Sequence, residues 1–214
     1  MFYSIDGGDG SGKSTQVELL CGWLRELGHD VVSCRDPGST RLGEAVRELL
    51  LHRHDLNIDR RSEMLLYMAA RAQLAAEIIR PALKQGKTVV TDRYLLANVV
   101  YQGYGGGLEV DALWEVGRIA TAGLLPDLTI VLDMPAAAAA GRIARQFDRM
   151  EQQGAAFHER VRQGFLAEAA RRPDSIVVVN AAAPIDQVQA DIRTAARKKG
   201  LGMKDEREGI RDER

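Results

Sequence analysis

The sequence predicts an α/β fold, one parallel sheet of five strands covered by helices on both faces. Three observations predict it. Strand-sized apolar runs alternate with segments of helical period along most of the chain. Those runs are continuously apolar rather than alternating, as in strands buried on both faces. Between the first run and the first helical segment stands Gly7-Gly8-Asp9-Gly10-Ser11-Gly12-Lys13-Ser14-Thr15, which fits the phosphate-loop pattern G-x-x-x-x-G-K-[ST]. The 214 residues suit one domain with a substantial core, or one domain carrying a small lid.

The elements follow in order. Phe2-Tyr3-Ser4-Ile5 is the first strand, and Gln16 to Leu24 carries apolar residues at helical spacing. His29 to Arg35 is the second strand; Pro37-Gly38 breaks it, and Arg41 to Leu51 reads as a helix. A long helix is predicted from Asp59 to about Leu83, with Met64, Met68, Ala72, Ala75 and Ile79 as its buried stripe and Pro81 distorting its last turn. Thr88 to Thr91 is the third strand, Tyr101 to Gly107 a glycine-rich loop, and a helix of about a dozen residues starts at Val110. Leu128 to Leu132 is the fourth strand, and Pro135 leads an alanine-rich helix. Arg142 to Glu151 is charged and interrupted. A helix over Phe157 to Ala170, a fifth strand over Ser175 to Val179 and a closing helix over Ile185 to Arg197 complete the domain, 1–197. The charged end, 198–214, has no apolar period and is expected to be solvated.

Composition narrows the function classes. The hydrophobic fraction of 45% and charged fraction of 28% are those of an ordinary globular protein. A net charge of −1 gives no field for nucleic acid or a membrane surface. No apolar run approaches a membrane span, and no basic-then-apolar leader precedes the first strand, so a cytoplasmic location is expected. Cys21 and Cys34 sit in apolar settings and read as buried free thiols, and the four histidines form no ligand set.

Each part of the phosphate loop has a physical task. Its glycines let the backbone curl close to phosphates, and the curled amides with the helix N-terminus behind them form a donor surface for anions. Lys13 reaches the outer phosphates, and the Ser14 hydroxyl is placed to hold Mg²⁺. In a parallel sheet, ligands bind outside the carboxyl ends of the strands. That rule gathers the loop, Arg35-Asp36, Asp92-Arg93 and Asp133 onto one rim. Asp92 and Asp133 both compete for a metal-ordering role, and the residues alone do not choose between them. Arg93 can fork onto a phosphate. Tyr67 and Arg71, four apart, share a helix face from which a ring could stack on a base and a guanidinium donate to it, or serve as an ordinary half-buried pair. Arg142, Arg145 and Arg149 could meet the charge of a migrating phosphoryl group, or form a solvated face.

The ordered series FYSIDGGDGSGKSTQ, RDPGST with LGE, YMAAR, DRY, YQG, PDLTIVLDMP and DRME resembles the thymidylate kinases, up to about Ala181. The resemblance implies the nucleoside-monophosphate-kinase version of the P-loop NTPase fold, with a short lid at about 142–151. It implies transfer of the γ-phosphoryl of ATP to dTMP, with Mg²⁺, in dTTP biosynthesis, and a homodimer. By position, the loop residues Gly7 to Thr15 would hold ATP, with Lys13 and Ser14 on its phosphates and metal. Asp92 would organise Mg²⁺, and Asn180 would stand by the ATP site. Asp9, Arg35 and Arg93 would face the acceptor phosphate and sugar. Tyr67 would stack on the base and Arg71 donate to its carbonyl; Asn98 and Gln102 would contact base or sugar, and Tyr101 would crowd the 2′ position. With no arginine at Gly10 or Ser11, Arg142 and Arg145 are the implied catalytic arginines. Ala97 in place of Ser, Asp36 in place of Glu and Asn180 in place of Asp depart from the family pattern. A kinase for another nucleoside monophosphate is the nearest alternative. A nucleotide-dependent switch is the more distant one, disfavoured because the chain lacks an N-K-x-D element and carries candidates for a second nucleotide site.

Overall fold

The computed structural model describes residues 1–142 and 147–200. Five strands, β1 (Phe2–Gly7), β2 (Val31–Arg35), β3 (Thr88–Asp92), β4 (Leu128–Asp133) and β5 (Ile176–Asn180), form one sheet. Their order is β2-β3-β1-β4-β5, and every pairing is parallel. Arg35 pairs with Asp92, Gly7 with Leu132 and Asp133 with Asn180, so all five carboxyl ends share one rim.

The helices are α1 (Lys13–Glu26), α2 (Arg41–His52), α3 (Arg60–Leu74), α4 (Arg80–Lys84), α5 (Leu95–Asn98), α6 (Val110–Ala120), α7 (Ala136–Ala140), α8 (Ala155–Arg171) and α9 (Ile185–Lys198). On one face of the sheet, Tyr3, Ile5, Ile130 and Leu132 pack with Leu20 and Leu24 of α1 and Val188 and Ile192 of α9. On the other, Phe2 and Val89 pack with Leu74, Leu95 and Leu113, while Val131 meets Phe157, Val161 and Phe165 of α8. The alternation Phe2/Tyr3 and Ile130/Val131 is the period-2 pleat of strands buried on both sides.

Two predicted elements differ. The long helix over 59–83 is continuous but not uniform, because a π-helical turn, Ala75–Ile79, separates α3 from α4. Pro81 has no N–H to give, and its ring would press on the carbonyl four residues back; a wider turn before it relieves both problems. Within the predicted stripe Met68, Ala75 and Ile79 are buried, and Met64 and Ala72 partly so. The glycine-rich loop over 101–107 is instead helical up to Gly105, since α5 runs on into a π segment, Val99–Gly105. Its glycines serve close packing. A Cβ at Gly105 would lie 2.7 Å from the Phe157 ring, and one at Gly103 would lie 3.0 Å from Leu113. α9 runs to Lys198, one residue into the stretch expected as a tail.

Candidate active site

The phosphate loop connects the end of β1 to the start of α1. Gly7 takes φ +137°, and a Cβ there would sit 2.5 Å from the Leu132 carbonyl oxygen, so no other residue fits that exit from the sheet. Inside the curl, the Ser11 hydroxyl donates to the Gly8 carbonyl (2.8 Å), and Lys13 Nζ donates to the same oxygen (2.7 Å). Burial, and then the nearby Arg93, pull the Lys13 ammonium down to about 8, against the opposing pull of Asp9, Asp92 and Asp6. At the mouth of the loop the Ser14 hydroxyl donates to Asp92 Oδ2 (2.9 Å). A hydroxyl and a carboxylate thus bring hard oxygen donors together beside the loop.

Beyond the loop stands a second cluster. Arg93 donates from Nη1 to the Gly7 carbonyl (2.8 Å) and from Nη2 to Asp9 and to the Tyr101 hydroxyl (3.2 Å). The Tyr101 hydroxyl donates in turn to Asp9 Oδ2 (2.7 Å). Burial would raise the Asp9 pKa, but Arg93, Lys13 and the Tyr101 hydrogen bond outweigh it and hold the carboxyl at about 2. Burial pushes the Tyr101 pKa far up, which keeps its proton available to Asp9. Arg93 has φ +68°, a left-handed conformation that a non-glycine residue adopts at a cost and that points its side chain across the loop. Nearby, Arg35 pairs with Glu44 (2.8 Å), and the Asp36-Pro37 bond is cis.

The third group is buried. Arg71, only 1% exposed, donates to Asp36 Oδ2 (2.5 Å) and Asn98 Oδ1 (2.9 Å). Asn98 donates to Gln102 Oε1 (2.6 Å), and Gln102 to Glu63 Oε1 (2.8 Å). Arg149 closes the row on Glu63 Oε2 and on the Leu50 carbonyl (2.7 Å). The remaining oxygen of Asp36 has no hydrogen-bond partner, nor has one oxygen of the fully buried Asp6, and burial pushes both carboxyls up.

All three groups line one cleft of about 960 Å³, at the upper end of small-molecule sites. It brings together Asp9 to Thr15, Arg35, Tyr67, Arg71, Asp92, Arg93, Asn98, Tyr101, Gln102 and Arg142. Gly8 lines a separate small cavity beneath the loop. Asn180 does not line the cleft. Its carboxamide oxygen accepts from the Ala182 N–H (3.0 Å), and the wall there is the segment it caps, Ala181 to Ile185. Asp133 does not line it either, since Arg162 takes both its oxygens (2.8 and 3.0 Å). That ion pair separates the two aspartates that the sequence left in competition. Arg145 lies outside the described residues. Arg142 reaches the Ala181 carbonyl (3.3 Å). Sequence reasoning missed Asp6, Glu63 and Glu44. Glu63 sits in the first turn of α3, where an acid reads as a surface complement to the helix dipole.

The family model for thymidylate kinase matches residues 5–192. The chain belongs to the thymidylate kinase family. It is therefore an ATP-dependent phosphotransferase of the thymidylate kinase type. Similar members include the thymidylate kinase of Clavibacter michiganensis subsp. michiganensis, 49% identical over 199 residues that make up 92% of this chain and 94% of that one. That of Deinococcus radiodurans is 43% identical over 202 residues, 94% of this chain and 98% of its own. Among solved structures, the crystal structure of thymidylate kinase from Ehrlichia chaffeensis superposes with TM-score 0.76 at 30% identity, covering 91% of this chain and 97% of its own. No described helix is long and apolar enough to cross a membrane.

Proposed function

We propose that the cleft binds ATP and dTMP side by side and transfers the γ-phosphoryl group between them, giving ADP and dTDP for dTTP synthesis. The observation that carries the reading is one continuous cleft, with a phosphate loop at one end and a buried donor row, Arg71–Asn98–Gln102, at the other. A nucleotide switch needs only the first end; a kinase needs both.

The roles follow from the donors. The loop amides of residues 7–15 and Lys13 bind the ATP phosphates, and the pull of those anions restores a full charge on Lys13. The segment Ala181 to Ile185, rather than the Asn180 side chain, serves as the wall on the ATP side. Arg93 and Arg35 hold the acceptor phosphate, and Asp9 orients Arg93 and Tyr101. Arg71 donates to the thymine O4, which favours thymine over cytosine because Arg has no acceptor to offer an amino group. Tyr67 lies against the base, and Tyr101 against the 2′ position of the sugar. The oxygen of the dTMP phosphate attacks the γ-phosphorus as the bond to the β-phosphate oxygen breaks; no covalent enzyme intermediate is needed. Charge spread over the migrating group is met by Lys13 and by Arg142 and Arg145 of the 142–151 lid.

Ser14 and Asp92 fit Mg²⁺. Both offer hard oxygens, and they meet at 2.9 Å beside the loop. No described group of three or more His, Cys, Asp or Glu residues forms a metal cage, which suits an ion that keeps waters and phosphate oxygens as its other ligands. Held by Ser14 and Asp92, Mg²⁺ would supply positive charge to offset the charge that develops on the phosphates. A cytoplasmic homodimer completes the reading, with the exposed apolar Leu65 on α3 and Ile119 on α6 available to an interface. The test of the transfer is product analysis: ATP and dTMP together should yield ADP and dTDP in equal amounts, with little ADP from ATP alone. ADP formation indifferent to dTMP would refute the kinase reading.

A further inference from the structure

The row of buried side chains behind the base pocket has a direction, and both of its ends fix it. Arg71 and Arg149 can only donate. Arg71 Nη1 meets Asn98 Oδ1 at 2.9 Å, so the Asn98 amide must turn its NH₂ toward Gln102, whose Oε1 accepts at 2.6 Å. The Gln102 NH₂ is then left facing Glu63, which accepts it at 2.8 Å. The second Glu63 oxygen accepts from Arg149. Arg71, Asn98, Gln102 and Glu63 are 1%, 2%, 2% and 7% exposed, so water cannot repair an error in this order.

We propose that Glu63 is a positioning residue for the acceptor base. Its two oxygens receive donors from both sides and thereby fix the direction of the Gln102 and Asn98 amides. The Asn98 oxygen stays on Arg71, and the Arg71 guanidinium stays braced between Asn98 and Asp36 in the orientation that presents a donor to thymine. Glu63 also joins that pocket to Arg149 in the 142–151 segment. The inference rests on the reading of Arg71 as the base donor. Glutamine at position 63 would offer one oxygen to two donors. If that oxygen goes to Arg149, the new NH₂ faces Gln102, the amides of Gln102 and Asn98 must both turn, and a donor is driven against Arg71. The mismatch cannot leave the row; it can only move along it.

The exchange Glu63→Gln with Gln102→Glu restores the order with the same charge. The carboxylate introduced at position 102 would accept from Asn98 and from the amide introduced at position 63. The oxygen of that same amide would accept from Arg149. Four proteins are compared by thermal midpoint and by steady-state kinetics with dTMP, dCMP and ATP: the parent, Arg71→Ala, Glu63→Gln and the double exchange. Glu63→Gln is expected to raise the KM for dTMP about tenfold or more and to narrow the dTMP-over-dCMP preference, with the KM for ATP nearly unchanged. The double exchange is expected to recover the dTMP KM to within about threefold of the parent, even if the single variant does not fold. An impaired Arg71→Ala beside an unimpaired Glu63→Gln overturns the inference and leaves the base-pocket reading standing. A double exchange no better than the single change also overturns it. An unchanged dTMP KM in Arg71→Ala removes the reading and the inference together.

Discussion

Two substitutions at Tyr101 separate the work of a ring from that of a hydroxyl. Tyr101→Phe removes only the hydroxyl, which donates to Asp9 Oδ2 at 2.7 Å and accepts from Arg93 at 3.2 Å. A hydrogen bond to a carboxylate is worth about 1.5–3 kcal/mol, so stability should fall by that order. Asp9 should also titrate higher. Its folded pKa of about 2 lies below the ordinary value, so its contribution is present above the ordinary carboxylate range and is lost as pH falls through about 2. Without the Tyr101 proton the folded pKa lies higher, so less of that contribution is present near neutral pH and its loss is complete at a higher pH; the acid-unfolding midpoint should move up with the lowered stability. Tyr101→Ala removes the ring as well. That ring packs edge-on to Phe157 (6.1 Å) and Phe165 (6.3 Å), with Arg93 over its face (5.0 Å), so it is held from three sides. The cost in stability should be about 3–5 kcal/mol. The gain is room beside the sugar. An added 2′-hydroxyl forced against an intact ring loses about 1–3 kcal/mol of unrecovered solvation, roughly five- to 150-fold in acceptor preference. The assay is kcat/KM for dTMP, dUMP and UMP in the three proteins. The parent should prefer dTMP to dUMP by about fourfold, as one buried methyl is worth about 0.8 kcal/mol. UMP should trail far behind. Phenylalanine should keep the dUMP-to-UMP ratio, and alanine should collapse it. An alanine variant that rejects UMP as strongly as the parent, or a phenylalanine variant that loses the ratio, would refute the ring as the sugar gate.

Other residues give sharper contrasts between stability and turnover. The Lys13 pKa of about 8 lies below its ordinary value, so the unfolded chain binds the extra proton from about pH 8 up to the ordinary lysine range, and stability rises with pH across that window. Lys13→Met should therefore stabilise the free protein below about pH 8 by up to about 3 kcal/mol and flatten that slope in denaturant melts, while turnover falls by several orders of magnitude. Arg142→Ala should lower kcat with little change in the dTMP KM; an unchanged kcat at saturating substrates would make Arg142 a wall residue, held by its contact with the Ala181 carbonyl. Glu168, fully buried, accepts from Tyr104 (2.8 Å), Trp114 (2.9 Å), Arg171 (3.3 Å) and Arg172, and none of these five residues lines the cleft. Glu168→Ala should cost about 3–5 kcal/mol in a denaturant melt while the folded fraction keeps its kinetic constants; a melt within about 0.5 kcal/mol of the parent would contradict this.

The five strands, their parallel direction and the loop were legible because each rests on a local pattern: a continuous apolar run, or glycines at fixed spacing. The misread stretch was 101–105, where Gly103 and Gly105 carry the same letters as a loop but leave room for Leu113 and Phe157. Only a neighbour distant in sequence makes those glycines helical. The contest between Asp92 and Asp133 was undecidable from either residue, because the deciding partner, Arg162, lies 29 positions beyond Asp133. Glu63 was invisible for a related reason. A first-turn acid on an amphipathic helix looks solvated, and its burial exists only because Gln102 and Arg149 arrive from elsewhere in the chain. The acceptor residues were legible mainly through motif order, since a Tyr and an Arg four apart do not by themselves imply a base.

We propose that one cleft holds two nucleotides end to end, with their phosphates meeting at Lys13 and Arg93. The deciding measurement is calorimetric titration with a single molecule that links adenosine to thymidine through a chain of phosphates. The expected result is one molecule bound per protein chain, more tightly than ATP or dTMP alone, and displaced by either nucleotide. Displacement by ATP but not by dTMP, at any concentration, would show that the Arg71–Tyr101 side of the cleft is not the acceptor site.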